Sequence, residues 1–118
     1  MVSQFAALAA LDLGAEYTRE FRDHYLRRRE LMCSRLAGLP QIFTFQVPEA
    51  AYFVFAATPN FSDSVALSKK LIESAKVAAV PGVAFGPSGE GHLRFCFGKT
   101  DAEITEGFDR LDRHFGEP

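Results

Sequence analysis

Tryptophan is absent from this chain, and cysteine and methionine occur only twice each. Two thiols, Cys33 in an Arg-rich helical stretch and Cys96 in an apolar run, cannot build a disulfide framework, so the pattern fits a reducing cytoplasm. An excess of positive charge is also missing. Thirteen Lys plus Arg stand against 15 Asp plus Glu, a net charge of -2, which excludes the basic footprint by which nucleic-acid modules hold phosphate backbones. No apolar run approaches the roughly 20 residues needed to span a bilayer. Residues 1–14 carry neither a basic start nor a small-residue cleavage site. The expectation is a cytoplasmic chain with neither nucleic acid nor membrane as a partner.

What is present is a globular composition. With 118 residues, 47% of them hydrophobic and 24% charged, the chain has the size and apolar content of one domain with a real core. Phe5, Leu8, Ala9 and Leu11 recur at helical spacing in an Ala-rich segment, predicting a helix over 3–13 with Ser3 as its cap and Gly14 as its end. From Ala15 the stripe Phe21, Tyr25, Met32, Leu36 and Leu39 predicts a second helix of roughly six turns, stopped by Gly38 and Pro40.

The residue types then become aromatic and β-branched. Phe43, Phe45 and Val47, then Tyr52 to Phe55, predict two strands around a Pro48-Glu49 turn. Ser62, Asp63 or Ser64 caps a third helix with the stripe Leu67, Leu71, Ile72 and Ala75. Val77 to Val80 reads as a short strand ended by Pro81-Gly82, a dipeptide that suits a type II turn. After a glycine-rich loop over 86–91, His92, Arg94 and Cys96 alternate with Leu93, Phe95 and Phe97, the period of a strand with one apolar face. Thr100 and Glu103 form a capping box for a last helix whose stripe is Ile104, Phe108, Leu111 and Phe115. The order is helix, helix, strand, strand, helix, strand, strand, helix. It predicts an α+β domain in which about four strands, mostly antiparallel or mixed, carry helices on one face and follow two leading helices. An α+β domain that opens on two helices is expected to begin inside a larger protein.

Few residues offer chemistry. Arg94 is the only charged residue inside its strand, and a guanidinium there needs an anionic partner: either a surface ion pair or a bound carboxylate or phosphate. The loop Gly86-Pro87-Ser88-Gly89-Glu90-Gly91 lacks the Gly-Lys-Ser ending of a P-loop and leads into a strand, so it reads as a turn needing unusual backbone angles. His24, His92 and His114 lie far apart and two separated Cys complete no zinc set, so no metal site is expected. No nucleophile signature surrounds Cys33. The run Arg27-Arg28-Arg29 sits in a stretch, 16–35, with six Arg and four acidic residues, and reads as a solvated helix face with local ion pairs. Lys69, Lys70, Lys76 and Lys99 are Schiff-base candidates by type alone, each on a polar helix face or at an element end.

Four stretches occur in an order that resembles the class I/II aminotransferases, fold type I enzymes that use pyridoxal phosphate (PLP). They are Ser3 to Leu11, Tyr25-Leu26-Arg27-Arg28-Arg29-Glu30, Val80-Pro81-Gly82-Val83-Ala84-Phe85-Gly86 and Gly89-Glu90-Gly91-His92-Leu93-Arg94. The Pro-Gly-x-x-Phe-Gly element followed by Gly-Glu-Gly-x-x-Arg is the specific part. The resemblance, aspartate-aminotransferase-like, covers nearly the whole chain. It implies that residues 1–118 are a single C-terminal small domain whose PLP-binding large domain, with its Schiff-base lysine, lies outside this chain.

By that resemblance Arg94 matches the arginine that holds the substrate α-carboxylate, a task suited to a planar fork. Pro81, Gly82 and Phe85 either line the pocket or serve the backbone alone. Ser68-Lys69 falls inside the third helix and is not the PLP lysine. The chain alone is then expected to bind no PLP and to be inactive. The parent would transfer an amino group between an amino acid and a 2-oxo acid, as a homodimer when full length. One departure is visible: Pro48-Glu49-Ala50-Ala51-Tyr52 puts Ala50 where the family usually has Gly, at a cost of about 1 kcal/mol if that position has positive φ. The competing reading is a stand-alone non-catalytic α+β module that binds an amino acid or a protein partner.

Overall fold

The computed structural model describes residues 1–116. Helices α1 (Val2–Asp12) and α2 (Gly14–Ala37) lead into the short strand β1 (Thr44–Phe45) and the central strand β2 (Phe53–Ala57). Helix α3 (Ser64–Lys70) continues into one wide turn over Leu71–Ala75, followed by β3 (Val80–Pro81) and two 3-10 turns, Gly82–Phe85 and Pro87–Gly89. Strand β4 (His92–Cys96) and helix α4 (Asp101–Gly116) complete the order. The sheet runs β1-β2-β4-β3 with every pairing antiparallel, so the expected α+β class, element order and helix-covered sheet are all found.

The pleat divides the sheet into two faces. Val54 and Ala56 of β2 lie opposite Phe95 and Leu93 of β4, and all four are buried. Met32 and Leu36 of α2, Leu67 and Leu71 of α3, and Ile104, Phe108 and Leu111 of α4 close over them. Phe43 stands edge-on to Phe95 at 5.4 Å, an arrangement that aromatic quadrupoles favour. The capping box is formed as expected: Thr100 N–H donates to Glu103 Oε2 at 2.9 Å while Glu103 N–H donates to Thr100 Oγ1 at 3.2 Å. Asp63 caps α3 by accepting from Ala66 N–H at 2.8 Å.

Several local expectations need correction. Helix α1 begins at Val2, so Ser3 lies inside it and no side chain caps it. Not one residue of α1 is buried, and Phe5, Leu8, Leu11 and Phe21 of the leading helices stand in solvent. The two helices form an arm that stretches the molecule to 55 × 29 × 25 Å, with a radius of gyration of 17.0 Å against about 13.5 Å for a compact chain of this length. No helix among the described residues is long and apolar enough to cross a membrane. The first strand is shorter than its apolar pattern, leaving Val47 exposed. The wide turn after α3 shifts the helical phase, so Ile72 is exposed while Leu71 and Ala75 are buried. Of the expected 77–80 strand only Val80 pairs with β4, and the ladder instead runs on into Pro81, the residue expected to open the turn.

The left-handed residue of the Pro48 loop is Ala51, at φ 63°, and not Ala50. The strain anticipated there therefore falls one position later. The run Arg27-Arg28-Arg29 also reaches further than a local face: Arg28 Nε lies 3.4 Å from Asp101 at the start of α4, and Arg29 donates to the Pro48 carbonyl at 3.1 Å.

Candidate functional site

The face of the sheet opposite the helices carries the candidate residues. His92, Arg94 and Cys96 of β4 project there, opposite Ala57, Phe55 and Phe53 of β2. Arg94 is half-buried, and its Cζ lies 4.1 Å from the Phe53 ring centroid and 4.5 Å from that of Phe85. Phe55 meets Phe85 edge-on at 6.1 Å and stacks on His92 at 4.8 Å with the planes 6° apart. Among the described residues no acceptor or carboxylate pairs with the Arg94 guanidinium, and none of its nitrogens is buried without a partner. A half-buried cation held by aromatic faces, with its donors open to solvent, can take a planar anion in two parallel hydrogen bonds. An open hollow of about 730 Å³ runs along this face past Gln46, Val47, Phe53, Phe55 and His92.

The glycine loop sets where β4 begins. A Cβ on Gly82 would collide with the Gly89 carbonyl and come within 2.8 Å of that of His92, and one on Gly89 would strike Gly82 in turn. Gly82 is buried in this crossing of two backbones and does not adopt positive φ, so a 3-10 turn replaces the expected type II turn. Gly86 at φ 116° and Gly91 at φ 72° supply the unusual angles expected of the loop. Pro81 pairs with Leu93, one step from Arg94. Of the residues singled out from sequence, the structure thus gathers Arg94 and Phe85, holds Pro81 beside them in the ladder, and uses Gly82 for close approach.

Glu90 is the residue that sequence reasoning missed. Its Oε1 accepts from Ser64 N–H at 2.7 Å and from Gly91 N–H at 2.9 Å, tying the loop to the first turn of α3. These hydrogen bonds, Gly91 first and then Ser64, hold the carboxyl below the ordinary glutamate range. Thr58, fully buried, donates through Oγ1 to the Gly91 carbonyl at 2.9 Å, and His92 Nδ1–H donates to that of Glu90 at 3.0 Å. The pairing of an acid inside a glycine loop with a distant Ser-Asp-Ser cap was the one signal available.

PLP requires a desolvated lysine amine, and this chain offers none. Lys69 and Lys70 are exposed on α3, Lys76 Nζ donates to the Glu73 carbonyl at 2.8 Å, and Lys99, 60% exposed, lies 4.0 Å from Glu103. Ser68 is turned inward, donating to the Ala79 carbonyl at 2.6 Å. The residues present therefore do not by themselves make a PLP site. No cluster of metal-ligating side chains exists among the described residues. Cys33 is half-buried, and desolvation pushes its thiol above the ordinary range despite Arg29, which disfavours a nucleophilic thiolate.

A helix-backed antiparallel sheet with a lone arginine on its open face, entered through Gly-Glu-Gly, marks a class of protein that also emerges from comparison. The sequence profile of the family described as aminotransferase class I and II matches residues 2–111. The chain belongs to that family. It is 36% identical over 118 residues to the aspartate aminotransferase of Pyrococcus abyssi, covering 93% of this chain and 28% of that protein. It is 35% identical to the aromatic-amino-acid aminotransferase 2 of Thermococcus litoralis, with the same shares. The solved alanine aminotransferase of Pyrococcus furiosus superposes with a TM-score of 0.90 at 26% identity, covering 98% of this chain and 30% of that one. The chain thus spans less than a third of the length of the relatives it matches.

Proposed function

We propose that this chain is the small domain of a PLP-dependent aminotransferase, and that Arg94 binds the α-carboxylate of the amino acid and 2-oxo acid substrates. The observation that carries this reading is the Arg94 fork itself, half-buried against Phe53 and Phe85 with no protein anion to satisfy it. Two N–H groups donate to the two carboxylate oxygens, which fixes the rotation of the substrate about its Cα–carboxylate bond. The ring faces of Phe53 and Phe85 keep water from one side of that contact. PLP supplies the electron sink when bound in the parent, held by residues beyond this chain. Alone, the 118-residue chain is then inactive.

The arm supports the same reading. Phe5, Leu8 and Leu11 expose 66%, 59% and 77% of their surface on one helix, a contiguous apolar area that soluble proteins cover. The large domain of the parent, a homodimer of the cytoplasm in this proposal, is the cover. The experiment is steady-state kinetics of the full-length parent carrying Arg94→Lys. Losing the fork while keeping the charge raises KM for the amino acid about 10- to 100-fold, the worth of one charged hydrogen bond. An unchanged KM, or transamination by the 118-residue chain alone, overturns the proposal.

A further inference from the structure

The structure assigns Phe53 and Phe85 a role of their own: they are the positioning residues of the Arg94 fork. The inference rests on the carboxylate-clamp reading of Arg94 and deepens it. A buried or half-buried arginine is usually held by an acidic partner, yet such a partner occupies the very donors that a substrate carboxylate needs. Aromatic rings attract the cation through their quadrupoles and accept no in-plane hydrogen bond from it. Holding Arg94 at 4.1 and 4.5 Å from two rings, with no acceptor among the described residues, therefore fixes the side chain while leaving its donors available.

The two rings differ in how they are themselves held. Phe53 belongs to the central strand β2, opposite Cys96. Phe85 lies at the exposed end of a 3-10 turn anchored at buried Gly82 and is followed by Gly86 at φ 116°. Its support is lateral: Phe55 stands edge-on to it at 6.1 Å, Phe55 stacks on His92 at 4.8 Å, and His92 is hydrogen-bonded to the Glu90 carbonyl at 3.0 Å. The glycine loop thus reaches Arg94 through side chains as well as through the start of β4. Phe85 is half exposed at 51%, so replacing it disturbs the fork without opening the core.

The test uses the 15N-labelled chain and the Arg94 Nε–Hε resonance. Wild type, Phe85→Leu, Phe85→Tyr and Phe53→Leu are compared for the order parameter of that bond, and for its response to added acetate with sodium chloride as the ionic control. Phe85→Leu is expected to drop the order parameter from near 0.85 to below about 0.6 and to weaken acetate about fivefold, the worth of one partly desolvated cation–π contact. Phe85→Tyr keeps both, because the ring face remains, and Phe53→Leu acts as Phe85→Leu does. An order parameter that is unchanged in both Leu variants overturns the positioning role. If the Leu variants loosen the bond but acetate never shifts the wild-type resonance, positioning stands and the clamp reading fails.

Discussion

Neighbouring residues of β4 live in different surroundings. Leu93 and Phe95 are buried beneath three helices, whereas His92, Arg94 and Cys96 face an open side where aromatic rings pack against His92 and Arg94. The same comparison holds across β2, where Val54 and Ala56 are fully buried while Phe55 remains 41% exposed. Period-two alternation thus lets one ten-residue pair of strands do two separable things. The helix-facing residues build the core, and the opposite residues are left free for the anion binding proposed for Arg94.

Mutations on the two faces should separate accordingly. The largest loss is expected from Leu93→Ala, which removes a fully buried side chain between sheet and helices and lowers unfolding free energy by about 2–5 kcal/mol in urea titrations. Gly82→Ala comes next. Its Cβ meets backbone atoms of the Gly89 and His92 carbonyls, which cannot move as a flexible side chain would, and a loss of about 1–3 kcal/mol is expected, with β4 displaced at its His92 end. In the opposite direction, Ala51→Gly relieves a residue at φ 63° and should raise stability by up to about 1 kcal/mol. Arg94→Ala sharpens the comparison most, because it should leave the unfolding free energy within about 0.5 kcal/mol of wild type while abolishing the acetate-induced shifts of the backbone amides of 92–96. A collapse of stability in that variant would merge the two faces into one structural unit.

The smallest effect is expected from pH. Glu90 has a folded-state pKa depressed by its hydrogen bonds to Gly91 and Ser64, relative to an ordinary value of 4.5. The group contributes its full stabilisation above the unfolded value and loses it as pH falls through the folded one. Acid titration of unfolding free energy should therefore be flat from this source above about pH 5 and decline below it. Glu90→Gln should flatten part of that decline, and Glu103, depressed through Thr100, should account for more of it.

Much of this architecture follows from short-range pattern. The alternation from His92 to Phe97, the stripe Ile104-Phe108-Leu111 and the Thr100–Glu103 box each lie within one element, where neighbours in sequence are neighbours in space. The exposed leading helices are the counterexample. Phe5, Leu8 and Phe21 have the spacing of a buried stripe, but nothing among the described residues covers them. Amphipathic spacing states which face wants cover and is silent on whether the cover belongs to the same chain. The Ile72 phase shift and the shortened β3 arise similarly, from a wide helical turn and an edge position that no local spacing encodes.

The candidate site divides along the same line. Arg94, as a solitary charge in an apolar strand, and the glycine loop before it are properties of the sequence, because local composition alone makes them unusual. That Phe53 and Phe85, distant from each other in sequence, both lie against its guanidinium was decided only when β2 and β3 paired with β4. The same is true of Glu90 meeting Ser64, and of Gly82 meeting Gly89. Sequence by itself determined the elements and the faces, since hydrophobic periodicity acts over a few residues. The tertiary structure decided which aromatic rings, carboxylate and backbone crossing surround the arginine, since those contacts exist only once strand register has been chosen.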